Sequence, residues 1–86
     1  SATEQWFKLA DSLQGAQRYE EARQIYLQLL SCPQAEAKAL YSLAQVAWTL
    51  KEFAQAEAWI KRGMSCDCAQ LDRWLELQAT IDEKLQ

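Results

Sequence analysis

Apolar residues recur every three or four positions through most of the chain, and polar residues fill the places between them. This spacing puts the apolar side chains on one face of an α-helix. In the first stretch the apolar positions are Trp6, Leu9, Ala10 and Leu13. In the second they are Tyr19, Ala22, Tyr26 and Leu29. Because β-branched residues are scarce, the pattern predicts a chain made of helices.

Breaks in this pattern indicate where the helices end. Gly15 can adopt the left-handed conformation that terminates a helix, and Pro33 disfavours the helical conformation in the residue before it. The two helices are then repeated from about Glu36 to Ser65. A fifth helix is predicted from about Ala69 to Leu85, with Asp67 as its N-cap. The chain is therefore expected to contain two helix pairs and one further helix.

The two helix pairs also share a sequence pattern. QRYEEARQIY begins at Gln17, and the similar stretch KEFAQAEAWI begins at Lys51. Several large apolar or small residues match at this same distance, and the matches extend into the fifth helix. They are Trp6, Leu40 and Trp74; Leu9, Leu43 and Leu77; Leu13, Ala47 and Ile81; Ala10 and Ala44; Tyr19 and Phe53; Ala22 and Ala56; and Tyr26 and Ile60. A period of about 34 residues indicates a stack of repeated helical units.

At these positions the chain resembles the tetratricopeptide repeat family, whose units are helix–turn–helix segments of about 34 residues. The resemblance rests on the series Trp6, Leu9-Ala10, Leu13, Tyr19-x-x-Ala22, Tyr26, Leu29 and Pro33, and on its second copy from Leu40 to Gly63. It implies an all-α fold, a right-handed α-solenoid of five antiparallel helices. Repeat one is expected at 3–36, repeat two at 37–70 and a capping helix at 71–86, all in a single domain. We expect this domain to be part of a longer protein.

Composition and charge narrow the class of partner. The chain has 86 residues, a net charge of −3 and a sequence pI near 4.8, and its basic residues are scattered. Nucleic-acid binding needs clustered Lys and Arg side chains, so it is not expected. No apolar run approaches the ~20 residues of a membrane span, and the N-terminal SATEQW does not resemble a signal peptide. These features favour a cytoplasmic protein that does not insert into membranes.

The residue types that carry most catalysis are missing or sparse. The chain has no histidine, and its two glycines lie too far apart for a phosphate-binding loop. Its cysteines, Cys32, Cys66 and Cys68, are odd in number and too few for a zinc site without histidine. Cys32 and Cys66 are separated by one repeat period and so occupy equivalent repeat positions. We therefore expect free thiols, no enzyme activity, no metal and no cofactor; a thiol-based metal or redox module is the minor alternative.

Function is expected on side chains that helix packing does not use. The resemblance implies that the first helices of successive repeats line a concave groove. The groove residues it implies are Phe7, Asp11, Gln14, Lys38, Tyr41, Gln45, Trp48, Asp72 and Leu75. Phe7, Tyr41 and Leu75 follow one another at the repeat period, so stacked repeats would set them side by side as an apolar ladder. Trp48 would lie on the same side.

This ladder predicts a non-catalytic adaptor or scaffold that binds a peptide segment of another protein. The alternative for the same aromatic residues is that they only thicken the packing between repeats. Co-chaperone members of the family hold acidic tails with a clamp of Lys, Asn and Arg, and only Lys38 matches that clamp here.

A different hypothesis for the whole chain is a structural or self-association spacer in a multidomain bacterial signalling or secretion protein. Trp59 lies outside both the core pattern and the implied groove. It is expected to be a lone exposed aromatic, and self-association through it is the weaker alternative.

Overall fold

The computed structural model describes residues 2–85, with the exception of the side chains of Cys68 and Leu85. Five α-helices follow one another in this range: α1 at Ala2–Gly15, α2 at Tyr19–Leu29, α3 at Glu36–Thr49, α4 at Phe53–Cys66 and α5 at Leu71–Leu85. A 3₁₀ turn at Cys68–Gln70 precedes α5. Each helix packs against the next one along the chain. The predicted all-α solenoid, two helix pairs followed by a further helix, is therefore confirmed.

The turns inside the two helix pairs are copies of one another. Gln17 and Lys51, one repeat period apart, have left-handed backbones with φ of 65° and 64°. Two equivalent hydrogen bonds of 2.8 Å close the turns, from Arg18 N–H to the Leu13 carbonyl and from Glu52 N–H to the Ala47 carbonyl. Hydrogen bonds of this kind close the ends of many helices in which a residue just after the helix is left-handed. The prediction that Gly15 adopts this conformation is wrong, because Gly15 is the last residue of α1 and has no positive φ.

Two clusters of buried side chains form the core. The first lies between α1, α2 and α3, and the second lies between α3, α4 and α5. The first cluster contains Phe7, Ala10, Ala22, Tyr26, Leu29, Ala35, Ala39, Leu43 and Val46. The second cluster contains Leu40, Ala44, Ala47, Ala56, Ile60, Trp74 and Ile81. Most positions of the repeated pattern are therefore buried, and this burial is the main term that stabilises the fold.

The first helix departs from the predicted core pattern. The sequence places Trp6 and Leu9 in the core, but they are 49% and 46% exposed, whereas Phe7 is only 4% exposed. The equivalent residues of α3, Leu40 and Leu43, are buried. The reason is that α3 lies between two helix layers, while α1 has packing partners on one side only within the described residues. The core side of α1 is therefore the face that carries Phe7.

The link between α4 and α5 is fixed by Trp74. Its indole lies against Gly63 of α4, and its Nε1–H donates to a carboxylate oxygen of Asp67 at 3.2 Å. Asp67 is therefore not the N-cap that the sequence suggests. It follows the last residue of α4, and α5 begins later, at Leu71.

Two ion pairs join segments that are distant in sequence. Arg23 of α2 donates to Glu52, directly before α4, at 2.8 Å. Arg62 of α4 donates to Glu36, the first residue of α3, at 3.1 Å. The side chain of Arg23 is the more buried of the two arginines. Its pair is therefore the less screened by water, and it ties the first helix pair to the second.

The outward surface of α5 is mostly charged, although Leu71 and Leu75 are also exposed on it. Its exposed charged residues are Asp72, Arg73, Glu76, Asp82, Glu83 and Lys84. Such a surface is typical of the terminal helix of a repeat stack, which has to be solvated. None of the described helices has the length and apolar character needed to cross a membrane.

Candidate functional site

An open groove crosses the face to which α1, α3 and α5 contribute. It has a volume of about 710 Å³. Its lining residues are Asp11, Gln34, Ala37, Lys38, Tyr41, Ser42, Gln45, Asp67, Gln70, Arg73 and Trp74. The contributions of α3 come from three successive turns, because residues four apart lie above one another on a helix. The site is therefore centred on α3, with α1 and α5 at its sides.

The part of the groove between α3 and α5 is aromatic. The rings of Tyr41 and Trp74 meet edge to face, with their centroids 5.3 Å apart. Arg73 places its guanidinium over the Tyr41 ring, 4.5 Å from the centroid. Towards α1, Lys38 places its ammonium over the Phe7 ring, also at 4.5 Å. Contacts of this kind contribute about 0.5–1 kcal/mol at exposed sites, so they bias both cations towards these positions.

The two carboxylates of the groove accept hydrogen bonds from the chain itself. Asp11 accepts from the Tyr26 hydroxyl at 2.6 Å, and the side-chain oxygen of Gln14 lies 3.0 Å from the same hydroxyl. Asp67 accepts from the indole of Trp74. Burial of Tyr26, reinforced by the neighbouring Asp11, raises the pKa of its phenol well above the usual range. The hydroxyl therefore stays protonated and remains a donor.

The two cations of the groove have no carboxylate partner among the described side chains. The ion pairs of residues 2–85 involve three other basic residues, Arg18, Arg23 and Arg62. Arg73 does donate to the side-chain oxygen of Gln70 at 2.8 Å. Since each guanidinium or ammonium carries several N–H groups, Lys38 and Arg73 retain donors for a ligand.

Four of the nine residues predicted for the groove line it: Asp11, Lys38, Tyr41 and Gln45. The structure corrects Phe7, which was expected to be exposed in the ladder. Phe7 is buried between the Lys38 ammonium and Tyr26, and the centroids of the Phe7 and Tyr26 rings are 6.3 Å apart. Because Trp6 points away from the core, Phe7 is the large side chain with which α1 fills the first cluster. It is therefore not available as a ligand anchor.

The other four predicted residues are not part of the lining: Gln14, Trp48, Asp72 and Leu75. Trp48 is half-buried against the second core cluster, and its Nε1–H is buried without a hydrogen-bond partner. Leu75 is exposed on α5 but lies outside the groove. The ladder is therefore not one continuous strip, and Tyr41 is its only member in the groove.

Trp59 also differs from its prediction as a lone exposed aromatic. It is half-buried and packs against both core clusters. A large side chain between the two clusters adds apolar contact across the boundary of the repeats. Self-association through Trp59 stays a prediction, and the position of the side chain gives it no support.

The sequence reasoning missed seven lining residues: Gln34, Ala37, Ser42, Asp67, Gln70, Arg73 and Trp74. Several of them lie in the links before α3 and α5, where helical periodicity makes no statement. Two others could have been found, because Ala37 and Ser42 adjoin the predicted Lys38 and Tyr41. A wider arc of the α3 surface would have included both of them.

The two described cysteine side chains, Cys32 and Cys66, are free thiols. Partial desolvation of the sulfur, together with the carboxylates of Glu36 and Asp67, raises the pKa of the Cys66 thiol. A raised pKa lowers the fraction of thiolate, which is the form that reacts and binds metals. Within the described residues no three His, Cys, Asp or Glu side chains are grouped as metal ligands. The side chain of Cys68 lies outside that set.

Two helix pairs with equivalent turns one repeat period apart, stacked through a shared core, define a helical-repeat protein. The sequence model of the tetratricopeptide repeat matches residues 4–32 and 37–66, more than half of the chain. The chain belongs to the tetratricopeptide repeat family. Comparison with curated proteins and with solved structures gives no significant match. Repeats of this family generally mediate protein–protein interaction without catalysis, which indicates a protein partner.

Proposed function

We propose that this chain is a non-catalytic adaptor domain that binds a peptide segment of another protein in the groove along α3. The observation that supports the proposal is an open groove whose lining combines aromatic side chains with polar and charged ones. Tyr41 offers apolar ring surface beside the buried Trp74, while Lys38, Arg73 and Gln45 offer donors for the carbonyl and carboxylate oxygens of a peptide. Apolar surface with a few convergent polar groups is typical of binding sites.

Tyr41 is the central anchor of the proposed site. Its edge-to-face contact with Trp74 holds the ring in one orientation before a ligand arrives. Such ordering lowers the entropy that binding would otherwise cost. The same contact means that truncation of Tyr41 would disturb Trp74, which is part of the core. A variant that fills the groove is therefore a sharper test than truncation of Tyr41.

Ala37 allows the groove to be filled without touching the core clusters. It lies in the first turn of α3 and contributes to the lining, so the indole of Ala37→Trp would occupy the space of a ligand. Ala54 is exposed on α4 and lies outside the groove. Ala54→Trp therefore introduces the same side chain elsewhere and is the matched control.

The measurement uses peptides selected on the parent chain from a random library displayed on phage. Their dissociation constants are then determined by calorimetry for the parent and both variants, after circular dichroism has shown that all three are folded. We expect Ala37→Trp to weaken binding at least tenfold, about 1.4 kcal/mol, and Ala54→Trp to leave it unchanged. Equal affinities for the two variants would show that the peptides bind elsewhere. Failure of the parent to enrich any peptide would favour the structural spacer.

A further inference from the structure

The outer face of α1 carries an apolar surface that no described element covers. Trp6 and Leu9 lie one turn apart on it and are about half exposed. A shallow cleft of about 160 Å³ opens beside Trp6, between α1 and α2. The cleft is lined by Trp6, Ile25, Gln28, Leu29 and Cys32. None of these residues lines the groove along α3, so the two surfaces are separate.

The chain contains an internal template for this surface. The large residues of α1 recur in α5 two repeat lengths later, with Trp74, Leu77 and Ile81 in place of Trp6, Leu9 and Leu13. In α5 this series is covered: Trp74 is 1% exposed, Ile81 is fully buried, and Leu77 packs against the second cluster. The helix that covers it is α4. The same series of side chains is thus seen once with a covering helix and once without.

α4 can cover Trp74 because it has no side chain at the point of contact. A Cβ on Gly63 would lie only 2.3–2.6 Å from three atoms of the indole ring. The repeat-equivalent of Gly63 in α2 is Leu29, and the helix after α2 has the smaller Leu40 at the position of Trp74. A large residue on one helix is therefore matched by a smaller one on its neighbour. A helix that covers Trp6 requires a glycine at the corresponding contact.

We propose that the α1 face formed by Trp6 and Leu9 docks an amphipathic helix of a partner protein. The docked helix carries a small residue, a large aliphatic residue and a glycine at the spacing of Ala56, Ile60 and Gly63 in α4, with its glycine against the Trp6 indole. This site does not depend on the proposed function of the groove.

Two observations indicate a separate partner rather than a second copy of this chain. Among the described helices of a second copy, none of the required kind is free, because α2 carries Leu29 at the glycine position and Gly63 of α4 is already covered by Trp74. In addition, the described residues form this face without a covering helix, since Phe7 and Ala10 already seat α1 in the first core cluster. A preformed surface suits reversible binding of a separate helix, because little has to be ordered on this side of the contact.

The chain itself supplies a probe for this test, a synthetic peptide of residues 52–65 that reproduces α4. A peptide this short is only partly helical in water. A covalent cross-link between positions 54 and 58, both exposed in α4, would hold it in the helical form. The control peptide carries Gly63→Leu. Because leucine favours helix more than glycine does, lower helicity cannot explain a loss of binding by the control.

The readout is the nuclear magnetic resonance spectrum of the ¹⁵N-labelled chain during titration. We expect saturable shifts of the Trp6 indole N–H and the Leu9 amide, at least tenfold weaker binding of the Gly63→Leu peptide, and loss of binding in the Trp6→Ala chain. The Trp6→Ala chain should remain folded, because Trp6 is not in either core cluster.

Four results would overturn the proposal. Equal binding of both peptides would show that the glycine does not contact the Trp6 indole. Shifts at Trp74 instead of Trp6 would mean that the peptide replaces α4 in the stack. Shifts of Trp6 on concentrating the chain alone would identify a second copy as the occupant. Absence of any Trp6 shift up to roughly 1 mM peptide, the weak end of measurable binding, would also overturn it.

Discussion

The Trp74 indole occupies the space that a side chain at position 63 would need. A Cβ built on Gly63 meets the ring at 2.3 Å, far inside van der Waals contact. Protein interiors are packed closely enough that such an overlap has to be relieved by moving one of the helices. This pair therefore sets how closely α5 approaches α4.

The first prediction is that Gly63→Ala destabilises the fold although the residue lies inside a helix. An alanine in a helix interior is normally about 0.5–1 kcal/mol better than glycine, but overpacking typically costs about 1–3 kcal/mol. We expect the cost of overpacking to exceed the gain in helix preference, so Gly63→Ala should lower the free energy of unfolding. Urea denaturation measures this change.

Gly15→Ala is the matched control for that substitution. Apart from its chain neighbours and the backbone of its own helix, no described atom lies within 4 Å of a Cβ at Gly15, and its φ is not positive. Only the helix preference remains there, so the variant should be slightly more stable than the parent. If both substitutions changed the free energy of unfolding in the same direction, the contact with Trp74 would not be the cause.

The second prediction concerns the left-handed residue that follows α3. Lys51 has a φ of 64°, a conformation that costs a non-glycine residue about 1–2 kcal/mol. Glycine adopts it without that cost but gains freedom in the unfolded chain, so Lys51→Gly should stabilise the fold by about 0.5–1 kcal/mol. Thermal and urea unfolding would measure the gain.

Lys51→Ala separates the backbone effect from the loss of the lysine side chain. Alanine keeps the strain of the left-handed conformation, so this variant is expected to match the parent. A gain as large as that of Lys51→Gly would mean that the charge of Lys51, and not its backbone, limits stability.

The repeat period of the sequence was sufficient to predict the helices and most of the core. It did not predict which face of a helix is buried, because that depends on the neighbouring helices. Trp6 and Trp74 occupy equivalent positions, yet one is half exposed and the other is buried. Periodicity gives the spacing of apolar residues on a helix, but which arc faces the core depends on the helices that surround it. Phe7 was assigned to the groove from the family resemblance, whereas the packing of α1 buries it in the core. The left-handed turn was placed at Gly15 because glycine favours it, whereas the pairing of the two helices requires it at Gln17.

The groove was predicted less completely than the core. Residues of α3 such as Lys38 and Tyr41 were implied by the family resemblance, which places the first helices of successive repeats along a groove. Asp67, Gln70 and Arg73 were missed because the 3₁₀ turn before α5 sets their positions. A sequence period does not encode the path of such a link.

The third prediction uses the buried phenol of Tyr26. Burial and the Asp11 carboxylate raise its pKa in the folded state, while the unfolded chain has the ordinary value of about 10. Below pH 10 the phenol is protonated in both states and adds no pH dependence. Above pH 10 the unfolded state loses the proton and the folded state keeps it. The unfolded state is then favoured by rising pH, and stability falls by up to about 1.4 kcal/mol per pH unit.

Tyr26→Phe removes both the titration of the phenol and its hydrogen bond to Asp11. The loss of the hydrogen bond is measured at pH 8, and the loss of the titration is measured above pH 10. At pH 8 the variant should be less stable than the parent by about 1.5 kcal/mol, the lower end for a hydrogen bond to a charged group, because Asp11 is exposed to water. Between pH 10 and 11.5 the parent should lose stability more steeply than the variant, so the difference between them narrows and then reverses. Urea denaturation at a series of pH values measures both curves. Curves that stayed parallel above pH 10 would show that the phenol titrates alike in the folded and unfolded chain, which is incompatible with a buried Tyr26 bonded to a carboxylate.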